Sequence, residues 1–131
     1  VWIDCDVIRA DGGTRTASVT GSLVALGLAI QKLQVQRSLK RNPLKDYLAA
    51  ISVGIVGEEM LLDLSYAEDS TADVDMNVVM TGTGNLVEAQ ATAEGRTFST
   101  EELSKLVELA RPAIHDLIEV QKSILKFPLP K

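Results

Sequence analysis

The sequence predicts an α+β fold, one sheet with helices packed against it. Three observations carry that prediction. Apolar residues alternate at the two-residue period of strands over residues 1–9, 47–64 and 76–92. They recur at three- and four-residue spacing over residues 16–34 and 99–125, the period of helices. The segments follow one another as strand, helix, two hairpins, helix, which places helices on one sheet rather than between parallel strands. The 131 residues, 46% of them apolar, suffice for one such domain with a true core.

Along residues 1–9, Val1, Ile3, Cys5 and Val7 share one face and Trp2, Asp4, Asp6 and Ile8 the other, the pattern of a half-buried strand. Asp4 and Asp6 are expected on its exposed side. Val1 already stands inside this alternation, with no initiator Met or leader ahead of it, so the chain reads as a fragment that begins within a fold. In the next segment Val19, Leu23, Val24, Leu26, Leu28, Ile30 and Leu33 nearly surround a helix axis, which predicts a helix buried between layers. Gly21 and Gly27 mark either close packing or local weakness in it. Thr20, Ser22, Gln31 and Lys32 keep its apolar run below the roughly 18 residues of a membrane span, and a soluble protein is expected.

Lys32, Arg37, Lys40, Arg41 and Lys45 then gather around Asn42-Pro43, the chain's one basic patch, read as a solvated connector or a guide for RNA. Ala49, Ile51, Val53 and Ile55 alternate into the turn Gly57-Glu58-Glu59, and residues 60–64 return as a hairpin. Four carboxylates, Glu68, Asp69, Asp73 and Asp75, fall within the next stretch. An exposed acidic loop would hold them apart, whereas convergence would call for a proton or a divalent cation. In the strand that follows, Val74, Met76, Val78 and Met80 share one face and Asp75, Asn77, Val79 and Thr81 the other. Residues 82–85 turn it into residues 86–92 as a second hairpin. Ser99 as N-cap, Glu102 three places on and Phe98 just before them announce the last helix, with Pro112 as a kink and His115 off its apolar stripe. Phe127-Pro128-Leu129-Pro130-Lys131 is expected to be a loose tail.

The junction Asp11-Gly12-Gly13-Thr14-Arg15-Thr16 carries the most chemistry. Two glycines permit a tight turn, and a helix starting at Thr14 or just after presents free N–H groups that attract anions. Arg15 adds a fork matched to phosphate oxygens, and Thr14, Thr16 and Ser18 add hydroxyls. The same residues also describe an ordinary turn with an N-cap. A P-loop is disfavoured because no Lys-Ser/Thr follows the glycines. Cys5 alone permits no internal disulfide, which fits a reducing, cytoplasmic setting, and with His115 the only histidine there is no Cys/His metal site. A net charge of −5 is unfavourable for nucleic-acid binding unless positive charge is supplied locally or by additional chain.

Ile3-Asp4-Cys5-Asp6-Val7, the stretch from Ala10 through Ser18, Ala50-Ile51-Ser52-Val53-Gly54-Ile55-Val56, Asp75-Met76-Asn77-Val78-Val79-Met80-Thr81 and Thr92-Ala93-Glu94-Gly95 together resemble the bacterial ribonuclease PH family. The similarity covers nearly all of residues 1–131 and matches the C-terminal part of that family's domain. The resemblance implies a ribonuclease PH-like α+β fold present as an incomplete half. It implies a phosphorolytic 3′-to-5′ exoribonuclease and tRNA nucleotidyltransferase that trims the 3′ ends of tRNA precursors and acts in RNA processing. Inorganic phosphate is the co-substrate, a divalent cation, usually Mg²⁺, the cofactor, and nucleoside diphosphates the products. By the same resemblance Gly13, Thr14 and Arg15 bind phosphate, and Asp69 and Asp75 are the active-site aspartates associated with metal and acid catalysis. It further implies a cytoplasmic hexamer built as a trimer of dimers, and an arginine supplied by the N-terminal part of the same protein, without which this chain is expected to be inert. A non-catalytic RNA-binding ring subunit of the same fold is the alternative, against which the presence of Arg15, Asp69 and Asp75 speaks.

Overall fold

A computed structural model describes residues 1–125. Helix α1 spans Thr14–Val35, strand β1 Leu48–Val56, β2 Glu59–Leu62, the single-turn helix α2 Tyr66–Asp69, β3 Val74–Thr81, β4 Leu86–Ala93 and α3 Thr100–Leu125. The strands form one antiparallel sheet in the order β2-β1-β3-β4. Both predicted hairpins are present. The expected tail lies outside the described residues.

Strand alternation divides the sheet into two unlike faces. Ala49, Ile51, Val53 and Ile55 of β1 stand beside Val74, Met76, Val78 and Met80 of β3, and this apolar face packs against Leu106, Ala110, Ile114 and Ile118 of α3. Their spacing of three or four residues is one helical stripe, so strand period and helix period meet in a single core. The second face carries Ser52, Asp75, Asn77, Glu88 and Gln90. Register sets Ser52 opposite Asn77 and Asn77 opposite Gln90, a polar row across three strands.

Helix α1 lies along β1 where β2 has ended. Four strand residues cannot cover nine, and the remaining backbone groups of β1 need other partners. The Thr20 hydroxyl serves both sides of one residue, accepting from Ala50 N–H at 3.0 Å and lying 3.2 Å from Ala50 O. Asp63 N–H donates to Ser52 O, and the Gln121 amide donates to Leu48 O and Thr20 O. The helix is less enclosed than its composition predicts: Thr16, Leu23, Gly27 and Ile30 are buried, whereas Leu28, Leu33 and Val35 are exposed. Its apolar residues exceed what one sheet edge and one helix can cover. By length and composition alone α1 passes as a membrane span, but the stripe seated on β1 and α3 is that of a helix packed in a fold. Of the two open glycines, Gly27 is a close contact, since a Cβ there would stand 2.7 Å from the Leu125 side chain. Gly21 has nothing within 4 Å.

The amino-terminal strand expected over residues 1–9 does not form. These residues are exposed and without regular secondary structure, Trp2 and Ile8 almost completely so. Alternation specifies what a strand would bury, but a strand exists only through a neighbour's hydrogen bonds, and none of the four strands pairs with this segment. Elsewhere local signals are realised. Ser99 and Glu102 exchange backbone and side-chain hydrogen bonds at the start of α3, and Arg96 clamps Glu102 at 2.8 Å. With the Arg96 hydrogen bond as the main cause and the Ser99 N–H as the second, the Glu102 carboxyl is held down to about 2. Helix α3 runs through Pro112 unbroken, and His115 lies exposed on its surface.

Candidate active site

The site begins with the backbone of Gly12 and Gly13. A Cβ on Gly12 would lie 1.9 Å from Leu64 O, so only glycine lets this loop cross the segment leading into α2. Gly13 adopts φ 69° and caps α1 without a side-chain hydrogen bond. The helical ladder starts with Ala17 N–H donating to Gly13 O at 2.9 Å, so the N–H groups of Thr14, Arg15 and Thr16 precede it and point out of the helix end. Backbone, not hydroxyls, makes this cradle. The hydroxyls of Thr14, Thr16 and Ser18, expected as additional donors, give their single protons to the carbonyls of Asp11, Gly13 and Thr14.

Asp11 joins this loop to the acidic stretch. Its carboxylate accepts from its neighbour Gly12 N–H at 2.9 Å and from Tyr66 N–H at 2.7 Å, across 55 residues of sequence. The Tyr66 bond is the main cause, and the Gly12 bond the second, of an Asp11 carboxyl held below the usual range. Tyr66 opens α2, so Asp11 ties the start of one helix to the start of another. The acidic segment is therefore more ordered than the exposed loop its composition suggests. Ser65 caps α2 and Glu68 reciprocates, and the turn that results carries Asp69 to the site.

Gly13, Thr14, Arg15, Asp69 and Asp75 line a single cavity of about 220 Å³, together with Asp11, Gly12, Ser52, Met76 and Asn77. Every residue predicted for phosphate or metal is thus brought to one place. Asp75 projects from the second face of β3, as its alternation requires. Burial first, and then the charges of Asp69 and Glu94, push its carboxyl above the usual range. A proton or a cation relieves that strain. Among the described residues no group of three or more His, Cys, Asp or Glu side chains is assembled for a metal. Two carboxylates beside an anion cradle nonetheless suit Mg²⁺, which characteristically takes one or two carboxylates and completes its shell with phosphate oxygens and water.

Arg15 is not a lone cation at the rim. Its guanidinium grips Glu88 of β4 with both Nη atoms, at 2.6 and 2.9 Å, and Nη1 also donates to Gln90 at 3.0 Å. The pair shifts both groups toward charge, raising Arg15 and lowering Glu88, mainly through the hydrogen bonds between them. Glu88 and Gln90 are not singled out by the sequence, and Asp11, though part of the junction, shows its tie to Tyr66 only in the structure. The two polar positions two apart on a strand, facing the same way as Asp75 and Asn77, were the available signal. Asp4 and Asp6 stand elsewhere, in a groove of about 670 Å³ between the amino-terminal segment and α1.

Residues 46–113 match the family described as 3′ exoribonuclease family, domain 2. The chain is 61% identical over 125 residues to Ribonuclease PH of Bacillus pumilus, covering 95% of this chain and 52% of that protein. It is 57% identical over 132 residues to Ribonuclease PH of Bacillus subtilis, covering 100% of this chain and 54% of that protein. Among solved structures, rice Rrp46 superimposes with a TM-score of 0.71 at 19% identity, covering 92% of this chain and 51% of that one. The chain spans about half the length of the curated relatives it matches.

Proposed function

The chain belongs to the 3′ exoribonuclease family, of which it carries domain 2, and from that premise we propose that it supplies most of the active site of a phosphate-dependent 3′-to-5′ exoribonuclease acting on the 3′ ends of tRNA precursors. One observation carries the reading: an anion cradle and two carboxylates from distant parts of the sequence line one cavity. In the proposed reaction an oxygen of inorganic phosphate attacks the phosphorus of the terminal phosphodiester. The bond from that phosphorus to the 3′ oxygen breaks, a nucleoside diphosphate leaves, and the 3′ oxygen of the shortened RNA takes up a proton. Such a displacement is governed by alignment and charge neutralisation.

The N–H groups at the start of α1 and the fork of Arg15 would hold phosphate as nucleophile. Asp69 and Asp75 would hold Mg²⁺, which when bound supplies charge neutralisation at the phosphate oxygens. The curated relatives are about twice as long as this chain, so the whole enzyme, its oligomeric ring and its RNA path are proposed to draw on that additional length. A ring would also gather positive surface that these 131 residues, of net charge −5, lack. Phosphorolysis of a short RNA, followed in the full-length enzyme that carries these residues, tests the reading. Arg15→Ala should raise the KM for phosphate by roughly ten- to a hundredfold, the scale of a lost charge-assisted contact. A loss of RNA affinity at unchanged phosphate dependence would remove Arg15 from the phosphate site. Sedimentation of that enzyme as a monomer at micromolar concentration would refute the ring.

A further inference from the structure

We propose that Glu88 and Gln90 of β4 are positioning residues that hold the Arg15 guanidinium with one edge free for phosphate. The inference rests on the reading of Arg15 as a phosphate ligand. An arginine fork has five N–H donors. Nη1 spends both of its hydrogens, one on Glu88 Oε1 and one on Gln90 Oε1, and Nη2 spends one on Glu88 Oε2. The Nε–H and the second Nη2 hydrogen remain together on the opposite edge, the pair of parallel donors that two phosphate oxygens accept.

Placement follows from strand geometry. Glu88 and Gln90 are two residues apart, so they share a face, and register sets them opposite Val79 and Asn77 of β3. Asn77 lines the cavity with Arg15, Asp69 and Asp75. The sheet that aims Asp75 into the site therefore also aims the holders of Arg15. An arginine without such partners carries the freedom of a long side chain and loses it only when phosphate binds, which weakens binding. At 52% and 35% exposure of the two side chains the ion pair adds little to stability, and what its two-point geometry chiefly fixes is the direction of the guanidinium.

Steady-state phosphorolysis in the full-length enzyme tests this with Glu88→Ala, Gln90→Ala, Arg15→Ala and the double variant Arg15→Ala/Glu88→Ala, alongside thermal midpoints. Glu88→Ala should raise the phosphate KM by roughly three- to tenfold, with Gln90→Ala following more weakly, while the RNA KM and the thermal midpoint stay near wild type. The double variant should be no worse than Arg15→Ala alone, because Glu88 acts only through Arg15. A phosphate KM unchanged in Glu88→Ala but raised in Arg15→Ala overturns the positioning role and leaves the phosphate reading standing. Additive effects in the double variant also overturn it, and a lowered phosphate KM in Glu88→Ala would make the carboxylate a competitor of phosphate. If Arg15→Ala itself leaves the phosphate KM unchanged, the reading beneath the inference fails.

Discussion

Replacing Gly12 by Ala should disable the site far more than replacing Gly13, although both glycines belong to the same turn. At Gly12 the new Cβ would lie 1.9 Å from Leu64 O and 2.7 Å from the carbonyl carbon of Ser65. Both are backbone atoms, with no side chain to swing aside. One of the two segments must retreat by about 1 Å, and both supply lining to the cavity, Gly13 to Arg15 from one and Asp69 from the other. A displacement of that size between reacting groups costs on the order of a hundredfold in rate. The overpacking should cost about 3 kcal/mol of stability as well. At Gly13 the nearest atom to a new Cβ is a side-chain oxygen, Thr16 Oγ1, at 3.2 Å, so the principal penalty is the left-handed backbone at φ 69°. That strain amounts to about 1–2 kcal/mol without driving the two segments apart. The assay is turnover at saturating phosphate, corrected for folded fraction by thermal denaturation of the same preparations. A Gly12→Ala enzyme within threefold of wild type, or one less impaired than Gly13→Ala, would refute the argument that this crossing sets the width of the site.

Other consequences can be measured separately. Asp69→Asn and Asp75→Asn should each preserve RNA binding and lower turnover by roughly a hundredfold or more, and a titration with Mg²⁺ should partly rescue whichever residue acts as metal ligand; near-normal rates in both would return this segment to a structural role. Gly27→Ala should destabilise by about 1–2 kcal/mol because its Cβ meets Leu125, while Gly21→Ala should stabilise by about 0.5–1 kcal/mol, both read from urea midpoints. The Glu102 carboxyl is depressed from 4.5 to about 2, so its contribution to stability is complete above 4.5 and is lost as pH falls toward 2. Wild type should therefore exceed Glu102→Gln in thermal midpoint at pH 7, and the two should converge near pH 2; a difference that persists there would deny the Arg96 and Ser99 contacts their role.

Features set by near neighbours in sequence were the legible ones. The Gly12-Gly13 turn, the Ser99–Glu102 cap and the β1 and β3 faces each depend on residues within a few positions, where backbone geometry fixes which atoms can meet. The cap of α2 was equally local. Ser65 and Glu68 stand at the capping-box spacing, but Glu68 with Asp69, Asp73 and Asp75 also makes the acidic composition of an exposed loop. The partnership of Arg15 with Glu88 and Gln90 spans more than seventy residues and depends on sheet register, which no local pattern specifies. Residues 1–9 show the converse. Their pattern is that of a strand, yet a pattern supplies only one side of a hydrogen-bonded ladder.

The Thr20 hydroxyl has a consequence beyond filling a gap beside β1. By meeting both the N–H and the carbonyl of Ala50, one oxygen atom fixes α1 against sliding along its axis and against rolling about it. Thr20 lies four residues after Thr16, so that anchor sets how far the open end of α1 reaches over the polar face of the sheet. The height of the anion cradle above Asp75 is therefore gauged from the β1 backbone, which leaves the exposed flank of α1 free to vary in composition without carrying the cradle out of reach of the carboxylates. Valine at position 20 would keep the shape and erase the gauge.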